Sequence, residues 1–209
     1  MSEAYVQLPS DSTGKKARQI QKTKGSETVY ERVVVIDHDL KRTITGKYIT
    51  ATPVVSATTA SGFVFASIFN PTGSGKLIAI KKYRALCWAV ATAVYIELAT
   101  WRITAASAGT LIAAADIAKK DTTLDGTPSA EVRHTGVTVT VAQKVLAQLT
   151  AGAAAQFPYM GVVLDFAPNE EIILREGEGL ATRQEAAGDA DQRVVVLIEW
   201  EEFTGDPRI

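Results

Sequence analysis

The sequence predicts an all-β protein: an antiparallel β-sandwich, open to a jelly-roll-like arrangement, with an extended N-terminal arm and at most one or two short helices. Runs rich in Val, Ile, Thr and aromatic residues recur along the chain, separated by segments rich in Gly, Pro and Asp. That pattern is typical of strands joined by turns. The sequence lacks the alternation of strands with long helical patterns that would indicate βαβ units. The 209 residues, 46% of them hydrophobic, suffice for a sizeable core.

The N-terminal segment has a different composition from the rest. Residues 1–28 carry few large apolar side chains, so they are interpreted as an extended or partly disordered arm. We divide the chain into an arm with the first strand, residues 1–36, and a single β-sandwich domain, residues 37–209. The arm contains five cations and no acid between them: Lys15, Lys16, Arg18, Lys22 and Lys24. The C-terminal third is acidic, so these residues are predicted to bind an acidic partner surface, such as that of a neighbouring copy.

The strand signals follow one another along the rest of the chain. They are predicted over 28–36, 43–60, 62–69, 76–104, 131–142, 161–167, 170–176 and 193–203. The clearest alternation places Val137, Val139 and Val141 between threonines, as in a half-buried strand. The segment 177–192 is interpreted as turn because of its Gly and Asp residues. Two Ala-rich stretches stay open between short helix and loop or insertion: 104–121, with a helix around 111–120, and 142–157.

The stretch "NPTGSGKL" at 70–77 resembles a phosphate-binding P-loop. That motif requires a strand, G-x-x-x-x-G-K-[ST] and a following helix. Asn70 stands where the first glycine belongs, and Leu77 stands where a Mg²⁺-binding hydroxyl belongs. The stretch is therefore predicted to be a hairpin turn between two paired strands, with no role for Lys76 in nucleotide binding.

No other pattern predicts catalysis, a cofactor or a metal. The two histidines, His38 and His134, are far apart, and the "DHD" stretch at 37–39 is interpreted as a solvated turn. Cys87 lies in an apolar run and is expected to be buried. The adjacent acids Glu201 and Glu202 are expected to face opposite sides of a strand, which disfavours an acid/base pair.

Partners are limited by charge and composition. The net charge of -1 gives no overall attraction to nucleic acid or membrane. The basic arm lacks the interleaved aromatic residues of single-strand binding proteins, and no apolar run reaches the about 20 residues of a membrane helix. A soluble protein made in a cytoplasm is expected. The aromatic residues are interpreted as core, with a glycan-binding wall as the alternative: Trp88, Trp101, Trp200, Tyr83 and Tyr95.

Three stretches together resemble structural proteins encoded in the morphogenesis regions of tailed bacteriophages. They are "VQLPSDSTGKKARQIQKTKGSETVYERVVV" at 6–35, "FNPTGSGKLIAIKKYRAL" at 69–86, and "LREGEGLATRQE" with "VVVLIEWEEF" at 174–185 and 194–203. The resemblance implies a non-enzymatic virion component without cofactor, made in the host cytoplasm. It implies self-association and binding to the major capsid protein or other virion proteins, as a head decoration or minor capsid protein. A tail or connector component, or a carbohydrate- or receptor-binding module, remains the alternative; membranes, nucleic acid and small molecules are not expected partners.

Overall fold

Antiparallel β-strands make up nearly all of the regular structure. The computed structural model describes residues 18–24, 27–33, 43–89, 95–124, 126–151, 159–165 and 171–204. Its strands are β1 Arg18–Lys24, β2 Glu27–Val33, β3 Thr43–Ala51, β4 Val55–Ser56, β5 Val64–Asn70, β6 Leu77–Ala89, β7 Tyr95–Ser107, β8 Thr110–Leu111, β9 Ala118–Lys119, β10 Glu131–His134, β11 Thr138–Ala151, β12 Tyr159–Asp165, β13 Ile172–Leu174, β14 Glu178–Gln184 and β15 Gln192–Thr204. A single 3₁₀ turn, Ala114–Asp116, is the only helical element in these ranges.

The chain divides into two compact units, Met1–Lys41 with Pro207–Ile209, and Arg42–Asp206. In the first unit β1 pairs with β2 along their whole length, from Arg18 opposite Val33 to Lys24 opposite Glu27. Residues 18–24, which the sequence places in an extended arm, therefore form one half of a two-stranded ribbon.

The second unit is a sandwich of two antiparallel sheets, as predicted. One sheet has six strands in the order β11-β7-β14-β5-β10-β8. The other has seven, along the path β12-β6-β15-β3-β9, with β13 beside β6 and β4 beside β15. The long strands pair in a nested way: β3 with β15, β5 with β14, β6 with β12 and β13, and β7 with β11. First-with-last pairing of this kind, distributed over two facing sheets, is the jelly-roll arrangement.

Alternating side chains build the core between the sheets. In β15 the burial pattern alternates strictly from Gln192 to Glu202, and Val194, Val196, Ile198 and Trp200 are all fully buried. They belong to the main core cluster together with side chains from the six-stranded sheet. Each fully buried aliphatic side chain of this size contributes roughly 1.5–3 kcal/mol of hydrophobic stabilisation.

The six-stranded sheet also curls over its own outer face. β8 begins three residues after β7 ends, yet the two lie four strand steps apart in the sheet. In a flat sheet they would be about 19 Å apart, whereas three residues span at most about 11 Å. The curl encloses a second apolar cluster, formed by Val64, Ile103, Val137 and Ala181 with Phe69, Trp101, Ala106, Val139 and Val141.

Several predicted elements are corrected by the structure. The segment 177–192, interpreted as turn, contains β14, which pairs on both sides and lies in the middle of its sheet. The small residues of β14 explain why this strand was taken for a turn. Gly179 and Ala181 are buried, and a Cβ on Gly179 would lie 2.4 Å from the Ile68 carbonyl oxygen. Close packing in the sheet requires small residues at these positions, and the same residues are typical of turns.

The Ala-rich stretches form strands more than helix. Residues 142–151 belong to β11, and residues 152–158 lie outside the described ranges. In 104–121, which the sequence left open between short helix and loop, the only helical element is the turn Ala114–Asp116 between β8 and β9. The predicted strand 76–104 is two strands, β6 and β7, in different sheets. The predicted strand 131–142 likewise divides into β10 and the start of β11.

Candidate functional site

The Gly-rich turn, residues 70–76, is a turn and not the start of a helix. It leads from β5 directly into β6. The prediction of a hairpin between paired strands is wrong, however, because β5 lies in the six-stranded sheet and β6 in the seven-stranded sheet. The turn crosses from one layer of the sandwich to the other. Strand and turn propensities do not reveal this difference, since both connections need the same local chain reversal.

An internal carboxylate occupies the backbone donors of this turn. Gly73 and Gly75 have φ angles of 84° and 66°, which glycine adopts without steric cost. Their N–H groups donate to Glu176, at 3.0 Å to Oε2 and 2.8 Å to Oε1. These hydrogen bonds lower the pKa of the Glu176 carboxyl. The donors that would face a phosphate in a P-loop are thus used by the chain itself.

Asn70 holds the turn together from inside. The side chain is fully buried, and its Nδ2 donates to the carbonyl oxygens of Lys76 at 2.9 Å and Leu174 at 3.1 Å. Its Oδ1 accepts from the Ser74 hydroxyl at 2.7 Å. The asparagine that spoils the P-loop pattern therefore closes the turn and ties it to the end of β13. The sequence carried no signal for the partner Glu176, which is about a hundred residues away along the chain.

An open cleft of about 380 Å³ lies beside this turn. It is lined by Gly75, Lys76, Leu77, Arg175, Glu176, Phe203 and Thr204. Phe203 is fully buried and forms an apolar wall. The lining offers cationic side chains and an engaged carboxylate, but neither a thiol nor an imidazole, so it can attract an anion more readily than it can carry out nucleophilic chemistry.

The predicted partner-binding cations are only partly described. Lys15 and Lys16 lie outside the described residues, whereas Arg18, Lys22 and Lys24 lie on β1. The ribbon has no third strand among the described residues.

The outer face of the seven-stranded sheet carries a network of ion pairs. Lys81 contacts Glu201 at 3.0 Å and also pairs with Glu171. Burial alone would lower the pKa of Lys81, but its hydrogen bonds with the two carboxylates outweigh burial and raise the pKa. Further pairs extend the network: Lys47–Glu201, Lys82–Asp165, Arg84–Asp165 and Lys120–Glu199. Paired charges on neighbouring strands give this face a fixed, nearly balanced charge pattern.

Glu202 is a buried carboxylate that the sequence did not single out. As expected, it faces the opposite side of β15 from Glu201: its exposure is 1%, and it faces the core. It accepts from the Ser129 N–H, the Ala130 N–H and Trp200 Nε1 at 2.9, 3.0 and 3.2 Å, and from the Ser129 hydroxyl at 2.7 Å. Glu202 therefore fixes the segment that leads into β10. Burial, and to a smaller extent the charge of Glu202, raises the pKa of Tyr48 to about 12.

Among the five aromatic candidates, two of the three whose side chains the structure describes lie in the core. Trp200 and Tyr83 are fully buried, and the Tyr83 hydroxyl is 2.9 Å from the Thr182 hydroxyl. The side chains of Trp88 and Tyr95 lie outside the described part. Trp101 is half-buried on the outer face of the six-stranded sheet.

The Trp101 indole is already engaged by its neighbours. Its Nε1 donates to Glu185 at 2.8 Å, and Lys144 Nζ and Arg183 Cζ lie 5.0 and 5.8 Å from its ring centroid. Burial would raise the pKa of the Glu185 carboxyl, but hydrogen bonds from Lys144 and Trp101 and the charge of Arg183 lower it overall. The Trp101 indole is thus held by a hydrogen bond and two cationic neighbours of its own sheet.

The remaining candidates behave as structural residues. Cys87 is buried, as expected. His134 ends β10, and its Nδ1 lies 2.8 Å from the Thr135 hydroxyl; the 37–39 stretch with His38 lies outside the described residues. No group of three metal-ligating side chains occurs in the part of the chain that the structure describes.

Comparison with known proteins found no matching family model, no significantly similar curated protein and no significantly similar solved structure. Within the described ranges, no helix has the length and hydropathy needed to cross a membrane.

Proposed function

We propose that the chain is a non-enzymatic structural component of a phage particle, which assembles with copies of itself and with the capsid shell as a decoration or minor capsid protein. The observation that carries this proposal is the jelly-roll strand order, an architecture that viral capsid proteins share with lectins and cupins. The likeness of the N-terminal, central and C-terminal stretches to phage morphogenesis proteins favours the virion among these uses.

The engagement of the polar groups supports a structural role. The N–H groups of the Gly-rich turn donate to Glu176, Glu202 accepts hydrogen bonds from backbone donors, and Lys144 lies over the Trp101 ring. Groups whose hydrogen bonds are already satisfied stabilise one conformation. A lattice subunit needs such a fixed surface more than it needs a reactive cleft.

The N-terminal ribbon supports docking to a partner. A two-stranded hairpin by itself is at best marginally stable in water, and a third strand or a packed face is what such a ribbon gains on assembly. The three cationic residues of β1, Arg18, Lys22 and Lys24, suit an acidic surface on a neighbouring virion protein.

Deletion of residues 1–41 tests the proposal. We expect the remaining chain to keep its β-sheet circular dichroism, because both sheets of the sandwich lie within Arg42–Asp206, and to be absent from purified particles. The full chain, expressed from the same plasmid in the same lysates, is the control. Normal incorporation of the deletion variant would contradict the role of the ribbon.

Electron microscopy of the particles locates the full chain. Labelled protein on the head supports the decoration or minor capsid role, whereas labelling at the connector or tail supports the alternative of a tail or connector component. A purified chain that enters no particle and binds glycans on an array would replace the proposal with a carbohydrate-binding module.

A further inference from the structure

The sandwich has four lateral edges, and one of them differs from the others. Two are formed by short strands, β8 with two residues and β12 with β13, which have seven and three. At a third, β9 and β4 have two residues each, and β9 pairs only with Tyr48 and Ile49 of the nine-residue β3. Short edge strands protect a sheet from pairing with other chains. The fourth edge is β11, with 14 residues, which is about 46 Å of extended chain.

The second half of β11 lacks the usual protection of an edge. Within the described part of the chain β11 pairs only with β7. Its first half is interrupted by register shifts between Thr140 and Leu146, but from Leu146 to Ala151 the pairing is regular. The strand contains neither proline nor glycine, and its single charged residue is Lys144. Among the described residues, the backbone groups of Leu146–Ala151 that point away from β7 therefore form a regular row without a strand partner, and the segment contains no charged residue.

We propose that Leu146–Ala151 pairs antiparallel with the same segment of a second copy, which joins two six-stranded sheets into one. An antiparallel pair of identical strands satisfies two-fold symmetry, so each backbone donor of one copy meets an acceptor of the other. Centred near Gln148, such a pair keeps the two Lys144 residues about 26 Å apart. This inference specifies how copies of the chain contact one another, and it rests on one part of the proposed function, namely that the chain assembles with copies of itself.

Sedimentation velocity and hydrogen exchange on the full chain test this proposal. We expect a concentration-dependent dimer and slow exchange of successive amides over 146–151. In a monomer only alternate amides, those directed at β7, are protected. A wild-type chain that stays monomeric at about 100 µM, a concentration at which a specific micromolar dimer is populated, would overturn the proposal.

A lysine at the edge provides the matched variant. Position 149 lies opposite Glu97 of β7, so in the monomer Leu149→Lys places a lysine opposite a carboxylate. In the dimer the same substitution brings the two introduced lysines close together near the two-fold axis, where they repel each other. We expect its dimer Kd to rise at least about tenfold, with an unchanged circular dichroism spectrum. Ala142→Lys, at an exposed position in the interrupted half of the same strand, should leave the dimer intact. Equal effects of the two lysines would count against this edge.

Particle incorporation separates this inference from the proposed function. A wild-type chain that is monomeric in solution but enters particles refutes the β11 edge and leaves the virion role standing. A chain that dimerises through residues 146–151 but never enters particles supports the edge and refutes the virion role.

Discussion

The Glu202 carboxylate allows a direct test of what holds the sandwich together. Its two oxygens receive three N–H groups, from Ser129, Ala130 and Trp200, and one hydroxyl, also from Ser129. All of these donors lie at the segment entering β10 or on β15 itself. Replacing Glu202 with alanine leaves them without their acceptor inside the protein.

The expected loss of unfolding free energy in Glu202→Ala follows from the number of donors left without an acceptor. A buried donor left unsatisfied costs about 1–3 kcal/mol, so three N–H groups give a range of roughly 3–9 kcal/mol. Because Ser129 is only half-buried, water can reach part of the site, and we expect a loss near the lower end, about 4 kcal/mol. Glu202→Gln keeps one acceptor oxygen and most of the volume, so its loss should be smaller, about 1–2 kcal/mol, from the missing charge.

Guanidinium denaturation, followed by Trp fluorescence and far-UV circular dichroism, measures these differences. With a slope of about 4 kcal/mol per M, the alanine variant should unfold about 1 M earlier than the wild type. Glu201→Ala is the matched control: Glu201 is adjacent in sequence but lies on the outer face, where its ion pairs with Lys47 and Lys81 contribute about 1 kcal/mol or less each. If the Glu202 and Glu201 variants lose the same stability, the buried carboxylate does not hold this segment.

Three further predictions follow from individual contacts. Gly46→Ala places a Cβ 2.2 Å from the Tyr48 hydroxyl oxygen and should cost about 3 kcal/mol by overpacking; an unchanged denaturation midpoint would show that Tyr48 can move away. The Glu176 pKa is lowered, so its contribution to stability is complete above the ordinary glutamate pKa and disappears as the pH falls through the lowered value. The Gly73 and Gly75 amide resonances should report that titration in NMR spectra, and no titration below the ordinary pKa would contradict the contact. Lys76→Ala should change the free energy of unfolding by no more than about 0.5 kcal/mol. Neither the wild type nor Lys76→Ala should retain ATP with Mg²⁺ in equilibrium dialysis; retention by the wild type alone would restore the nucleotide-binding hypothesis.

Local patterns were sufficient for the strands that alternate strongly. β15 was predicted over 193–203 and occupies Gln192–Thr204, because every second side chain must be apolar where one face of the strand covers the core. The opposite orientation of Glu201 and Glu202 followed from the same periodicity. The mismatch of Asn70 and Leu77 with the P-loop pattern, together with Pro71 and the glycines, likewise predicted a turn, because a chain reversal depends on the residues within it.

Strands made of small residues could not be predicted in this way. β14 reads as a turn because Gly179 and Ala181 lack the bulk of typical strand residues, yet their size is what the enclosed position allows. The hairpin expected at 70–76 failed for a related reason: a turn sequence specifies that the chain reverses, and the choice of the pairing partner depends on strands far away in the chain.

By itself the sequence determined the strongly alternating strands such as β15, the chain reversal at 70–76 and which side of an alternating strand is apolar, because these properties depend on neighbours within a few residues. Only the tertiary structure decided the nested strand order, the closure of the Gly-rich turn by Glu176, the burial of Glu202 beneath Ser129 and Ala130, and the position of β11 at the end of its sheet. Each of these joins residues from separate elements of the chain or depends on which strand is left without a neighbour. Such contacts arise from the packing of the two sheets, and no local propensity encodes them.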